Sequence, residues 1–106
     1  MQSDLLRFLG LMRKAGTLSL GEQGTGQAAR AGKAKLILLA SDASANALDR
    51  AEGFARRAGA PLIRLSATKE ELASALGVAG GSMGAVCDDG FAKALTEKFP
   101  DDTERI

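Results

Sequence analysis

The sequence has few of the residues on which metal sites, disulfides and most enzyme mechanisms depend. Its 106 residues include no histidine and a single cysteine, Cys87. These counts exclude a zinc site of the histidine and cysteine type and a disulfide within the chain. Histidine is also the commonest general base. The composition therefore gives no support to a metalloenzyme or to a histidine-activated nucleophile, and we expect no catalytic residue, no metal and no cofactor.

Aromatic residues are almost as scarce, because the chain has no tryptophan, no tyrosine and only four phenylalanines. Proteins that bind single-stranded nucleic acid usually stack the bases on such side chains. Phe8, Phe54, Phe91 and Phe99 each fit the apolar face of a predicted helix, which leaves no aromatic side chain for a stacking surface. If the protein binds nucleic acid, we expect it to recognise the folded shape of that molecule.

Long hydrophobic runs are also missing. The longest uninterrupted apolar run, residues 36–40, is far shorter than the roughly 20 residues that a membrane-spanning helix needs. The N-terminus lacks the basic and then apolar order of a secretory signal. These features predict a cytoplasmic protein with no membrane partner.

The net charge of +1 conceals an uneven distribution. Up to residue 35, only Asp4 and Glu22 are acidic, and they accompany six basic residues: Arg7, Arg13, Lys14, Arg30, Lys33 and Lys35. The balance reverses from residue 88 onward, where acidic residues outnumber basic ones. A basic front half suits a polyanionic partner, and it suits an ordinary solvated surface equally well.

Helical and strand patterns alternate along the chain, with glycine or proline between them. They predict one domain over residues 1–99, a frayed tail over residues 100–106, and helices on both faces of a small, largely parallel sheet. The fold class is therefore α/β, a three-layer α/β/α sandwich with a mixed sheet of about four strands. Helices are predicted over residues 4–15, 22–31, 44–58, 68–77 and from 89 or 90 onward, and strands over residues 17–20, 35–40, 62–65 and 84–87.

The stretch G-E-Q-G-T-G-Q-A, residues 21–28, is the most informative local motif. Gly21 and Gly26 have the spacing of a P-loop, but glutamine stands where that motif has its lysine. Read from Gly24, the stretch fits a dinucleotide-binding pattern with Asp42 downstream, yet the preceding strand is short and the chain has little room for a second nucleotide-binding half. Three interpretations are open: a nucleotide-binding enzyme, a binder of another polyanion such as RNA, or a helix start without function.

The start of a helix at this stretch would suit a polyanion for a simple physical reason. It exposes unpaired backbone N–H groups and about half a positive charge, which attract phosphate without a lysine. Glycines at positions 21, 24 and 26 would let an RNA backbone come close, although turn geometry and helix packing are competing explanations. Lys14, Arg30, Lys33 and Lys35 would either add a long-range positive field or form a solvated basic rim.

Four further segments carry a family resemblance. They are L-G-L-M-R-K-A-G-T-L-S-L-G-E-Q, A-G-K-A-K-L-I-L-L-A-S-D-A-S, T-K-E-E-L-A-S-A-L-G and G-A-V-C-D-D-G-F-A-K. In this order and spacing the chain resembles the ribosomal protein L-seven-Ae / L-thirty-e family, and within it the small bacterial YlxQ-like branch, over residues 5–98. The resemblance implies an α/β/α sandwich that acts as a small non-catalytic RNA-binding protein, in many members one that binds a kink-turn.

The resemblance also implies which residues contact RNA. Many family members carry G-x-N-E-x-x-K at the start of the second helix, whereas this chain keeps the glycine, has an amide in place of the asparagine, and lacks the acid and the lysine. Residues 44 and 48 fall where the family holds an extruded base, residue 69 where a basic side chain reaches phosphate, and residues 79–83 where an apolar loop packs against the bend. Together with the helix-start and charge arguments above, the predicted set is Gly21, Glu22, Gln23, Gly24, Gln27, Arg30, Lys33, Ser44, Leu48, Lys69, Gly81, Ser82 and Met83.

The partners that the resemblance implies are structured RNA, ribosomal RNA included, and other ribosome-associated proteins. Two alternatives stay open beside this interpretation. One is a protein-binding adaptor with the same fold that has lost RNA binding, and the other is a nucleotide-binding enzyme.

Overall fold

The structure, a computed structural model, describes residues 3–77 and 81–106. Within these residues five helices alternate with five strands. The elements in chain order are α1 (Asp4–Lys14), β1 (Leu18–Leu20), α2 (Gly21–Arg30), β2 (Leu36–Leu39), α3 (Ala45–Ala58), β3 (Leu62–Leu65), α4 (Lys69–Leu76), β4 (Met83–Val86), α5 (Asp89–Lys98) and β5 (Thr103–Arg105).

The strands form one mixed sheet in the order β1-β4-β2-β3-β5. Only β2 and β3 pair in parallel, and the other pairs, β1–β4, β2–β4 and β3–β5, are antiparallel. The mixed α/β class is confirmed, but the prediction of a largely parallel sheet is wrong. The reason is the position of β4, which lies between β1 and β2 and runs against both of them.

The helices cover both faces of the sheet, as a three-layer sandwich requires. On one face α2 and α3 pack on Ile37 and Leu39, and on the other face α1, α4 and α5 pack on Leu36, Leu38 and Ala40. Alternate side chains of a strand point to opposite faces. A strand buried on both sides must therefore be apolar throughout, which explains the continuous run of residues 36–40.

Four of the helices begin at a side chain that caps them. Ser3, Ser44, Thr68 and Asp88 each accept a hydrogen bond from the backbone N–H three residues on. Thr68 also forms a capping box, because the Glu71 carboxylate accepts from the Thr68 N–H at 2.9 Å. Such caps satisfy N–H groups that have no partner within the helix. Helix α2 differs, since its N-cap residue is a leucine.

Residues 100–106, predicted as a frayed tail, instead contain β5. It pairs with β3 through the register Ile63↔Arg105 and Leu65↔Thr103, and its flanks are held where Ser66 N–H donates to Asp102 O at 2.9 Å and Ile106 N–H donates to Leu62 O at 2.9 Å. The side chains here are polar and mostly exposed, so composition suggested fraying. Backbone pairing along the free edge of β3 supplies the order, and it adds a fifth strand to the predicted four.

The phenylalanines serve packing. The Phe8 ring centroid lies 5.7 Å from that of Phe91 and 5.5 Å from that of Phe99, and these rings line the core under α1 and α5. Phe54 packs on the other face of the sheet with α2 and α3. The prediction that the aromatic residues belong to apolar helix faces is confirmed. Within the described residues, no helix is long and apolar enough to cross a membrane.

Candidate nucleic-acid interface

Three helices begin at the same end of the sheet. Strands β1, β2 and β3 all finish there, because Leu20 pairs with Gly84, and Leu39 pairs with both Met83 and Arg64. Helices α2, α3 and α4 follow these strands directly. We call this region the helix-start end. It gathers three positive helix termini and the beginning of β4 in one place.

The start of α2 is open to solvent. Glu22 and Gln23 are exposed, and Gly21 and Gly24 are half-buried. The N-cap residue Leu20 provides no side-chain hydrogen bond, so the first backbone N–H groups of α2 have no side-chain cap from this residue. Gly21 has φ +84°, a conformation that side-chain-bearing residues rarely adopt. This geometry provides an exposed set of donors suited to an anion.

Gly24 and Gly26, the other two glycines of the motif, lie in different surroundings. A Cβ atom at Gly24 would lie 3.5 Å from the Ser19 Cβ, an ordinary contact. Gly26 is buried, and a Cβ atom there would lie 3.0 Å from Phe54 Cζ and 3.1 Å from Arg30 Nη1. The prediction that Gly26 lets RNA approach is therefore wrong, because this glycine permits close packing of α2 against α3.

Direct hydrogen bonds tie the loops of the helix-start end together. Ala40 N–H donates to Ser82 O at 2.8 Å, and Ser41 N–H donates to Ala67 O at 2.8 Å. Lys69 N–H donates to Asp42 Oδ1 at 2.9 Å. Asp42 thus gives α4 a second cap beside Thr68, so the N–H groups of Lys69 and Glu71 already have side-chain partners. Of the three helix starts, α2 is the one without a side-chain cap.

Several predicted residues lie at this end. Ser44 caps α3 by accepting from Ala47 N–H at 3.1 Å, Leu48 is half-buried one turn later, and the Lys69 side chain is exposed. Ser82 is half-buried, and its carbonyl is paired with β2 as described above. These residues lie at the same end of the sheet as the start of α2.

Other predicted residues at the beginning of β4 do not offer a side chain to a partner. Met83 is 2% exposed and belongs to the core under α2 and α3, so the prediction that it packs against RNA is wrong. Gly81 is buried as well. Residues 79 and 80, also predicted to belong to the contact loop, lie outside the described residues.

An ion pair that the sequence did not predict joins α2 to α3. Arg50 Nη1 lies 2.6 Å from Glu22 Oε1, with 61% of the Arg50 side chain and 44% of the Glu22 side chain exposed. The two residues are 28 positions apart, so no local pattern links them. The pair neutralises the acid that otherwise offsets the positive start of α2.

The sequence of this chain matches a protein family. The family model of the ribosomal protein L7Ae/L30e/S12e/Gadd45 family matches residues 4–96. The chain belongs to this family. The predicted resemblance is confirmed, and the YlxQ-like branch stays a prediction.

A solved structure shares the fold of this chain. The chain is similar to a protein of unknown function from Bacillus halodurans C, with 25% sequence identity and a TM-score of 0.77, over 91% of this chain and 96% of the other. No curated protein matches the sequence. The likeness covers nearly the whole of both chains.

The family pattern at the start of α2 has a clear geometry in this member. Gln23 and Gln27 are both exposed and stand four residues apart, so they share one face of α2. A glutamine amide both donates and accepts hydrogen bonds. These two amides replace the asparagine and the lysine of the family pattern, and together they form a neutral polar face.

Two predicted residues of this family member lie away from the helix-start end. Arg30 is in the last turn of α2 and Lys33 follows the helix, so their backbones lie about 15 Å from Gly21 along a ten-residue helix. The Arg30 guanidinium folds back toward Gly26. The structure does not bring Arg30 and Lys33 together with the open start of α2, and their contact with RNA stays a prediction.

Acidic residues limit the region on the side of β5. Asp101 is exposed, and Asp102 Oδ1 accepts from the Ser66 hydroxyl at 2.7 Å, beside the end of β3. Like charge would repel phosphates there. Within residues 3–77 and 81–106, no three histidine, cysteine, aspartate or glutamate side chains are grouped so as to hold a metal ion.

Proposed function

We propose that the protein binds structured RNA, without catalysis, at the helix-start end of its sheet. The observation that carries this proposal is the open start of α2, where Gly21, Glu22 and Gln23 present backbone N–H groups without a side-chain cap. Phosphate groups bind well at such termini. Membership of a ribosomal protein family supports an RNA partner.

The charges near this terminus support the same partner. Lys69 is exposed at the start of α4 and forms no salt bridge among the described residues. Arg50 offsets Glu22, so the acid does not cancel the positive end of α2. Since the acidic residues 101 and 102 lie on the β5 side, we expect the RNA to contact the α2, α3 and α4 starts and to avoid β5.

Among structured RNAs, we propose a kink-turn or a similarly bent RNA as the preferred target. The face formed by Gln23 and Gln27 fits base edges, because an amide can donate to and accept from a base at once. Ser44 and Leu48 would border an extruded base. Contact of two neutral amides with bases should make specificity depend on shape and base edges, and affinity depend on phosphates.

The proposed setting follows from the family and the sequence together. We propose that the RNA is ribosomal or another structured cellular RNA in the cytoplasm, and that other ribosome-associated proteins share it. The observation behind this is the family match over residues 4–96.

An electrophoretic mobility shift with three RNAs tests the proposal. The probes are a kink-turn RNA, the same RNA with its sheared G·A pairs replaced by Watson–Crick pairs, and a plain duplex of equal length. We expect the kink-turn to bind most tightly, and its affinity to fall steeply as salt rises from about 50 to 200 mM. Failure of every RNA to shift at low salt would contradict RNA binding and favour the adaptor alternative.

Two variants locate the contact surface. Lys69→Gln should weaken binding of all three RNAs by a similar factor and reduce the salt slope by about 1, because it removes one phosphate contact. Gln23→Ala should weaken kink-turn binding selectively. Lys93→Gln, on α5 at the opposite end of the sheet, is the matched control and should bind as the parent does. Equal effects of Lys69→Gln and Lys93→Gln would rule out the helix-start end as the RNA surface.

A further inference from the structure

A groove on the other side of the molecule has features that the proposed RNA interface does not use. It lies between α5 and β5 and has a volume of about 440 Å³. Cavities of roughly 300–1,000 Å³ are typical of small-molecule sites. We call it the α5–β5 groove.

Cations from three separate elements border this groove. Lys35 precedes β2, Lys93 lies on α5, and Arg105 ends β5. All three are exposed, and none forms a salt bridge among the residues that the structure describes. Among residues 3–77 and 81–106, no acidic side chain lines the groove. Like charges that converge without counter-ions create a local positive potential, which attracts an anion.

The geometry of the sheet explains why Arg105 lines the same groove as the two lysines. Arg105 is paired with Ile63 in the β3–β5 register, and directly opposite residues of a sheet share a face. Ile63 belongs to the core beneath α1, α4 and α5, so Arg105 points to the α5 side. Glu104, the next residue, points to the other face. The alternation of β5 therefore puts the arginine in the groove and the glutamate outside it.

The rest of the lining is apolar or accepts hydrogen bonds. Leu36 and Ile63 form the floor and Pro61 lies beside them. The Thr96 hydroxyl donates to Lys93 O at 3.1 Å, and the Thr103 hydroxyl donates to Phe99 O at 2.8 Å. Toward a ligand these two hydroxyls are therefore hydrogen-bond acceptors. The lining thus combines a positive rim, an apolar floor and acceptor oxygens.

From this combination we infer that the α5–β5 groove binds a small phosphomonoester, of the nucleoside monophosphate class. The dianionic phosphate matches the three cations, with the Arg105 guanidinium able to bind two of its oxygens. Sugar hydroxyls or a base amine donate to Thr96 and Thr103. The flat body of the ligand packs against Pro61 and Ala92, the half-buried apolar residues of the lining. The ligand is either a free nucleotide or the phosphorylated end of an RNA, since both carry this chemistry.

Titration of the ¹⁵N-labelled protein, followed by amide chemical shifts, tests this inference. The probes are 5′-AMP, inorganic phosphate, and one RNA dinucleotide with either a 5′-phosphate or a 5′-hydroxyl. We expect AMP to shift amides of residues around the groove, and to bind more tightly than inorganic phosphate. Binding of AMP alone identifies a free nucleotide, and preference for the 5′-phosphorylated dinucleotide identifies an RNA end. Equal binding of AMP and inorganic phosphate, or no shift in the groove with any probe, would overturn the inference.

Variants separate the phosphate contact from the floor. Arg105→Gln and Lys93→Gln should each weaken AMP binding about tenfold, the usual size of one lost charge-assisted hydrogen bond. Ala92→Leu should weaken it by filling the groove without changing charge. Lys98→Gln, on the same helix but outside the groove, is the matched control. If Ala92→Leu leaves AMP binding unchanged, the anion sits on surface charge only and the inference fails.

The same variants keep this inference distinct from the RNA interface. Lys93→Gln should reduce AMP binding and leave kink-turn binding unchanged, and Lys69→Gln should do the reverse. If the parent protein does not bind the kink-turn RNA, the result expected for AMP is still the same.

Discussion

The contrast between Gly24 and Gly26 gives a sharp test of the packing of α2. Replacing a glycine inside a helix by alanine gains about 0.5–1 kcal/mol of stability where nothing opposes the new methyl group. At Gly24 the nearest atom to that methyl would be Ser19 Cβ at 3.5 Å. Gly24→Ala should therefore raise the free energy of unfolding by about 0.5–1 kcal/mol, equivalent to a rise in Tm of about 2–5 °C.

At Gly26 the same methyl group meets the Phe54 ring at 3.0 and 3.1 Å. The Arg30 guanidinium, at 3.1 Å, is the end of a flexible side chain and can move away. The ring packs against the α2–α3 core and yields less easily. Overpacking of this kind costs about 1–3 kcal/mol. After the helix-propensity gain is subtracted, Gly26→Ala should lower the free energy of unfolding by about 0–2 kcal/mol.

Urea unfolding measures both variants, and far-UV circular dichroism is the suitable signal because the chain has no tryptophan or tyrosine. A double-mutant cycle with Phe54→Leu identifies the contact. Phe54→Leu should cost less in the Gly26→Ala background than in the parent, with a coupling of about 1 kcal/mol. If Gly26→Ala stabilises the protein as much as Gly24→Ala does, the ring moves aside freely and the packing explanation of Gly26 is wrong.

Three further predictions concern the helix starts. Thr68→Ala should lower the free energy of unfolding by about 1 kcal/mol, because it removes the side-chain oxygen that accepts from Glu71 N–H at 3.1 Å; urea unfolding measures this, and an unchanged midpoint would mean that Asp42 alone caps α4. Gly21→Ala should lower the free energy of unfolding by about 1 kcal/mol, because alanine is strained at φ +84°. Thermal unfolding measures this, and a Tm equal to that of the parent would show that the start of α2 relaxes. Arg50→Gln should change the free energy of unfolding by less than about 1 kcal/mol, because the ion pair with Glu22 is exposed. It should nevertheless weaken RNA binding in a mobility shift, since Glu22 then faces phosphate unpaired. Unaltered affinity would mean that Arg50 does not belong to the interface.

Local signals made much of this fold predictable. The helix starts predicted at residues 4, 44 and 68 agree within one residue with the observed starts of α1, α3 and α4, because a cap and the N–H groups it satisfies lie within three residues of each other. The apolar run of residues 36–40 indicated a strand covered on both faces, since such a strand needs an apolar side chain at every position. The alternation of helix and strand patterns predicted the three layers, and the family resemblance implied the same arrangement.

The features that the sequence did not predict all depend on partners far along the chain. The β5 strand exists because the free edge of β3 accepts it, although its own residues are polar. The direction of β4 depends on where it inserts, and no feature of Met83–Val86 itself encodes this. Gly26 looked like a point of RNA approach because nothing near it in the sequence indicates packing. The residue against which it packs, Phe54, lies on another helix.

In the candidate interface too, some residues were predictable from local sequence and others were not. Gly21, Ser44 and Lys69 come together because each begins a helix that follows a strand of one sheet, and strand–helix order is readable from the sequence. Arg30 and Lys33 seemed to belong with them on charge alone, but a helix of ten residues carries them to the other end. Arg50 was missed because its role depends on an ion pair across 28 positions.

The pairing of β5 with β3 also determines where the polypeptide exits. Ile106 N–H donates to Leu62 O, so the backbone at Ile106 leaves the sheet near the beginning of β3, about 13 Å from the helix-start end for a four-residue strand. A fluorophore or surface tether attached there would leave the RNA face unobstructed. Ile106 itself borders a separate depression beside α3, so a label there would stand next to the α5–β5 groove without filling it.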